Sequence, residues 1–271
     1  MRRFRLAAYV TSFLFAATAA LTGATAAQAS DSSAAAATGY VALGDSYSSG
    51  VGAGSYDSGS GDCKRSTKAY PALWAAAHSP SSFSFAACSG ARTGDVLAGQ
   101  LGSLGSGTGL VSISIGGNDA GFADVMTTCV LYSESTCVNR VNEARAYVTS
   151  TLPGKLDQVY SAISSRAPSA HVVVLGYPRF YKLGGSCLAG LSETERSAIN
   201  GAADLLNATT AKRVAAHGFT FGDVTSTFSG HEICSGSAWL HSVNWTNIGE
   251  SYHPTAAGQS GGYLPVLTSA A

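Results

Sequence analysis

The sequence predicts one α/β domain, a mostly parallel five-stranded sheet with helices packed on both of its faces. Five short apolar runs recur along the chain and helix-length stretches separate them, the alternation that builds a doubly wound sheet. Of 271 residues, 45% are hydrophobic and 12% charged, so the chain has apolar material for a core and too little charge for a disordered tail.

The first run, Tyr40-Val41-Ala42-Leu43, stops at Gly44 and reads as a buried strand entering a tight turn. Gly50 to Gly61 is dense in Gly and Ser and reads as a flexible surface loop rather than a linker between domains. A helix is expected over Ala69 to His78, a second strand over Phe83 to Ala87, and a helix over Gly94 to Leu104. The third strand covers Leu110 to Ile115. The helical stretch that follows, Cys137 to Ser165, contains Pro153, which should break or kink it. His171 to Leu175 forms the fourth strand, Leu191 to His217 a helix, and Phe219 to Gly222 the fifth strand. A last helix is expected from Thr255. No internal repeat is visible. Sites in such sheets lie beyond the carboxyl ends of the strands, which directs attention to the loops after Leu43, Ala87, Ile115, Leu175 and Gly222.

The N-terminus reads differently. Arg2, Arg3 and Arg5 precede an apolar stretch from Leu6 to about Leu21, and Ala27-Gln28-Ala29 has the form of a secretory cleavage site. The stretch is short for a hydrocarbon core of roughly 30 Å, so residues 1–29 are expected to be a removable signal peptide rather than an anchor. Residues 30–38, rich in Ser and Ala, form a connector open to trimming, and residues 39–271 the single domain. Removal of the leader leaves thirteen basic against sixteen acidic residues, a formal charge of −3. With no run of like charge, an electrostatic grip on nucleic acid or an acidic membrane has no source.

Six cysteines, Cys63, Cys88, Cys129, Cys137, Cys187 and Cys234, fit three disulfides in an extracellular chain. Of fifteen pairings the simplest joins nearest neighbours: 63 with 88, 129 with 137, 187 with 234. No Cys-x-x-Cys occurs and the six histidines are scattered, so no metal site is expected.

Chemistry concentrates at strand ends. Gly44-Asp45-Ser46-Tyr47-Ser48 follows the first strand, and a serine on a strand-to-helix turn exposes its hydroxyl beside the free N–H groups of the helix start. The same pattern also serves as a plain helix cap. After the third strand come Gly116-Gly117-Asn118-Asp119, where the glycines admit a close ligand and Asn118 offers a neutral amide donor. Cys88-Ser89-Gly90-Ala91 follows the second strand, with the Gly90 N–H as a further donor. Near the C-terminus, Glu250-Ser251-Tyr252-His253-Pro254 precedes the last helix, and His253 there could reach Ser46 as a general base. A lone histidine is more often structural, and His78, His171, His217, His231 and His241 read as surface or packing residues.

Taken in order, Gly44-Asp45-Ser46-Tyr47, Gly90, Gly116-Gly117-Asn118-Asp119 and His253-Pro254 resemble the four sequence blocks of the SGNH, or GDSL, hydrolases, spanning Tyr40 to about Gly258. With the leader and six cysteines the chain is most similar to the secreted lipases and phospholipases A1 of Streptomyces-type bacteria. The resemblance implies a three-layer, flavodoxin-like α/β/α fold, Ser46 as nucleophile, His253 as base, and an oxyanion hole from the Ser46 and Gly90 N–H groups and the Asn118 side chain. No cofactor is implied. The family usually has Asp three residues before the histidine, where this chain has Glu250. The longer side chain would overshoot the imidazole, and some secreted relatives use a backbone carbonyl, so the Ser251 C=O is favoured over a triad with Glu250.

Gly258-Gln259-Ser260-Gly261-Gly262 matches the Gly-x-Ser-x-Gly elbow, but no Asp, Glu or His follows Ser260 to complete the order that motif needs. The expected substrate is a lipid ester, with Phe122, Tyr177, Phe180 and Trp245 suited to line an acyl-chain mouth. A carbohydrate or small-molecule acetyl ester is the alternative, and a secreted binding module without turnover a more distant one. The chain is expected to act as a monomer outside the cell, touching lipid surfaces only transiently because it has no lipidation signal or basic amphipathic helix.

Overall fold

The computed structural model describes residues 38–187 and 190–271, of which 38–271 fall within one compact unit. The signal peptide and all of the connector but Thr38 lie outside the described residues. Five strands, β1 (Gly39–Gly44), β2 (Phe83–Phe85), β3 (Thr108–Ser114), β4 (His171–Leu175) and β5 (Thr220–Gly222), form one parallel sheet in the order β2-β1-β3-β4-β5. All six residues of β1 are buried, and Val172 to Leu175 are at most 2% exposed. Strands covered on both faces need continuous apolar runs rather than alternation, and burial of each such side chain contributes about 1.5–3 kcal/mol.

Two helical groups supply the cover. Helices α2 (Tyr70–His78) and α8 (Leu264–Ala270) pack together, while α4 (Phe122–Leu131), α5 (Glu134–Ser150), α6 (Leu152–Arg166) and α7 (Glu193–Ala216) pack in sequence against one another. This strand order reverses its winding between β1 and β3, which opens a crevice at their carboxyl ends. The loops bearing Ser46 and Asn118 begin there.

Local chemistry fixes most helix ends. Ser133 caps α5 by accepting from Thr136 N–H, and Ser192 with Glu195 forms a capping box at the start of α7. The stretch Cys137 to Ser165 is two helices rather than one kinked helix. Pro153 falls in the first turn of α6, where its missing N–H leaves no bond unmade. Two other regions depart from the sequence reading. Helix α4 was not anticipated, and residues 93–103 are a short α-turn α3 (Thr93–Asp95), a π-turn (Val96–Gln100) and a 3₁₀ turn (Leu101–Ser103). The π-turn delivers Gln100 to the end of β1, where its amide accepts from Gly44 N–H at 2.7 Å and donates to Gly44 C=O at 2.8 Å. That tertiary contact outweighs a regular helix.

The disulfides join Cys63 with Cys88, Cys129 with Cys137 and Cys187 with Cys234. The first ties the long loop after α1 (Ser46–Ser49) to the segment leading into Gly90, and the second links α4 to α5.

Candidate active site

Gly44 has φ +121° and a Cβ there would lie 2.4 Å from the Ser114 carbonyl oxygen, so only glycine lets β1 turn this sharply against β3. Asp45 then caps α1, its Oδ1 accepting from Tyr47 N–H at 3.0 Å, and Ser46 opens the helix. The Asp45 carboxylate is 1% exposed and is held by Ser114 Oγ at 2.8 Å and by the Tyr177 hydroxyl. Burial pushes it up to about 6, against the hydrogen bonds from Tyr177, Ser114 and Tyr47, which favour the charged form. Beneath it Ser48 Oγ bonds Tyr70 OH at 2.8 Å and Ser114 Oγ at 2.7 Å, so the turn rests on a buried polar network.

His253 Nε2 lies 2.7 Å from Ser46 Oγ, across 207 residues of sequence. Its Nδ1 lies 3.0 Å from the Ser251 carbonyl oxygen. A carbonyl only accepts, so Nδ1 carries the proton and Nε2 presents a lone pair to the serine hydroxyl. The Glu250 carboxylate faces elsewhere: its Oε1 accepts from Tyr56 OH at 2.7 Å, and Tyr56 in turn accepts from Gly52 N–H at 2.9 Å. Glu250 thereby pins the long loop to the histidine segment, and the Ser251 carbonyl is the group at the imidazole. Tyr252 between them has φ +67°, a left-handed conformation uncommon for a side chain of this size. It is held by Tyr47 OH donating to its carbonyl at 2.7 Å and by its own N–H donating to His241 C=O at 3.0 Å. Burial lowers the His253 imidazole to about 4; the Ser251 hydrogen bond raises it, and His241 and Lys64 lower it further.

Asn118 and Gly90 line the same cleft as Ser46 and His253. Asn118 Nδ2 donates to Ala91 C=O at 3.0 Å, which leaves its second N–H to spare. Gly90 has φ +77°, and among the described residues neither its N–H nor that of Ser46 donates to another protein group. The neighbouring Asp119 accepts from Thr93 N–H at 2.9 Å and Thr93 Oγ1 at 2.6 Å, tying the Asn118 loop to the segment just after Gly90. Asn118, Gly90 and Ser46 thus bring three uncommitted donors to the cleft that holds the serine hydroxyl, a set suited to a developing oxyanion.

The cleft has a volume of about 460 Å³, and Phe122, Met126, Val130, Val243 and Ile248 make its walls apolar. Two of the four aromatics expected at its mouth, Phe122 and Trp245, line it. Tyr177 and Phe180 do not. Tyr177 follows β4 to a position under the Ser46 turn, fixed by Asp45 and by Asn207, and Phe180 stacks behind Phe122 with ring centres 5.2 Å apart. Ser260 sits on a π-turn (Gly258–Tyr263) with its hydroxyl donating to Ala256 C=O at 3.0 Å, with no elbow geometry. His78 and His231 stack on Trp74 and Trp239 as packing residues. His241 does more: its Nε2 bonds Gly52 C=O at 2.8 Å and its backbone pairs with the His253 segment. Tyr47, Gln100, Tyr177 and His241 are the supporting residues that sequence reasoning missed, since each acts across long sequence separations. Among the described residues no group of three metal-ligating side chains occurs, and no helix is long and apolar enough to cross a membrane.

The family described as GDSL-like Lipase/Acylhydrolase matches residues 42–260. Over 271 residues, all of both chains, the sequence is 76% identical to Lipase 1 of Streptomyces coelicolor. Among solved structures it is similar to phospholipase A1 from Streptomyces albidoflavus NA297, at 73% identity and TM-score 0.86, covering 87% of this chain and 100% of that one. An extracellular lipase from Streptomyces rimosus matches at 72% identity and TM-score 0.85, with the same 87% and 100% coverage.

Proposed function

The chain belongs to the GDSL-like lipase/acylhydrolase family, and from that premise we propose that it is a secreted serine hydrolase that cleaves carboxylic esters of lipids, with Ser46 and His253 as its reacting pair. The single observation that carries the assignment is the 2.7 Å contact between His253 Nε2 and Ser46 Oγ at the floor of an apolar cleft. His253 takes the serine proton as Oγ attacks the acyl carbonyl. The oxyanion is met by the Ser46 and Gly90 N–H groups and the Asn118 amide. His253 then returns the proton to the leaving alcohol, and water, deprotonated by the same imidazole, releases the acid from the acyl-enzyme. The Ser251 carbonyl keeps the imidazole in the reactive tautomer but supplies less charge to the imidazolium than a carboxylate would.

The apolar walls favour an acyl chain over a sugar. Leu131, Trp245 and Ile248 line the cleft yet are 61%, 73% and 62% exposed, an apolar rim fitted to transient contact with a lipid surface. Secretion rests on the basic and apolar leader of residues 1–29, on three disulfides, and on the extracellular relative from Streptomyces rimosus. The single catalytic domain over 39–271, acting as a monomer, is part of the same reading. A fluorophosphonate should label Ser46 alone in the oxidised protein, and long-chain phosphatidylcholine or triacylglycerol should be hydrolysed. Activity confined to acetyl esters would refute the lipid assignment, and no labelling would refute the enzyme.

A further inference from the structure

A second cavity, of about 550 Å³, adjoins the cleft and shares Val130, Val243, Trp245 and Tyr252 with it. Its character is different. Two carboxylates, Glu134 and Glu195, and one guanidinium, Arg196, face a space that Tyr132, Trp245 and Tyr252 wall with aromatic rings. We propose that this cavity binds the zwitterionic phosphoammonium head of a glycerophospholipid whose ester lies at Ser46; the inference rests on the reading of the cleft as a lipid-ester site.

One buried donor points to the phosphate. Arg196 is 7% exposed, and its Nε is buried without a hydrogen-bond partner. Such an orphan donor is costly, and a phosphate oxygen relieves the cost. The rest of the guanidinium is already committed, with Nη1 on Glu193 at 2.7 Å and Gly185 C=O at 3.2 Å and the group 5.8 Å from the Tyr181 ring centre. That anchors it beside the cavity. The ammonium is met by the other components. Glu134 and Glu195 each accept one bond from Ser192 and keep further lone pairs free, and the Tyr132 and Trp245 rings, 65% and 73% exposed, offer faces for a quaternary cation. Glu134 and Glu195, together with the Glu193 that already pairs Arg196, outnumber the one base, so the cavity disfavours a purely anionic head.

Tyr132→Ala and Glu134→Gln alter exposed side chains and should leave the fold intact, as a thermal melt will check. In mixed micelles of a nonionic detergent with matched acyl chains, each variant should lower the ratio of kcat/KM on phosphatidylcholine to that on triacylglycerol about threefold to tenfold, through KM. Phosphatidylglycerol should show no such fall relative to triacylglycerol. An unchanged ratio overturns the proposal, as does an equal fall for phosphatidylglycerol. As an independent readout, the Ser46→Ala protein titrated with glycerophosphocholine should bind it saturably, and more weakly when Glu134→Gln is added. Lipid hydrolysis without that binding overturns the head-group site and leaves the enzyme reading standing; binding with no lipid hydrolysed in the wild type overturns the enzyme reading instead.

Discussion

Acidification should leave this enzyme active well below the range where histidine-dependent hydrolysis ordinarily fails. General base catalysis needs a neutral imidazole, and burial lowers His253 from 6.5 to about 4. A shift of that size corresponds to about 3 kcal/mol against the charged form. At pH 5 about nine-tenths of the imidazole is neutral, whereas an unperturbed histidine would be only about 3% neutral. The assay is kcat/KM on a soluble short-chain ester between pH 3 and 9, in disulfide-intact protein, with the fold monitored at each pH. The acid limb should have its midpoint near pH 4 and the rate at pH 5 should stay near the plateau. A midpoint near 6.5 would refute the reasoning, because it would mean that His253 is effectively solvated. Stability carries the complementary signature. The unfolded chain binds the His253 proton more readily, so this group's contribution is lost as pH falls from 6.5 towards 4. Asp45, raised from 3.8 to about 6, acts oppositely: the folded state binds its proton more readily, and stability falls as pH rises through that window. The two largely offset each other in the wild type, and His253→Gln should uncover a melting temperature that declines between pH 4 and 6.

Ser46→Ala and His253→Ala should each lower kcat at least about 10³-fold and Asn118→Ala about 10²- to 10³-fold, with circular dichroism unchanged. Glu250→Ala should cost less than about tenfold in kcat, since its carboxylate serves Tyr56; a thousandfold loss in folded protein would make it the imidazole's partner. Replacing Cys63 and Cys88 by Ala opens a loop of 25 residues and should lower stability by about 3.5 kcal/mol in denaturant titration, the chain-entropy expectation.

Much of the fold was legible because buried parallel strands are mostly apolar and must end at a turn, and the apolar runs of β1, β3 and β4 stand out even though β3 also buries Ser112 and Ser114. Helix α4 was not legible. Phe122-Ala123-Asp124-Val125-Met126-Thr127-Thr128-Cys129-Val130-Leu131 follows a Gly-rich turn and has one charge, so no polar face marks it. The irregular segment 93–103 answers to Gln100 reaching Gly44, a contact 56 residues away that no local window contains. The same limit applies around the site. Ser46, Gly90, Asn118 and His253 stand in motifs, but Tyr177 under Asp45 and His241 beside His253 carry no local signal. Tyr177 and Phe180 were expected at the mouth because aromatic loop residues look alike in sequence, whether they line a cleft or support it from behind.

The acceptor at His253 Nδ1 is a main-chain atom, which has a consequence for how the enzyme tolerates change. A carboxylate partner can be deleted by altering one codon, but a peptide oxygen is present whichever side chain residue 251 bears. Vulnerability at this corner therefore moves from chemical identity to chain path. What must survive mutation is the left-handed bend at Tyr252, with Tyr47 and His241 holding it, so substitutions at these three positions should be punished more severely than substitutions at Glu250 or Ser251.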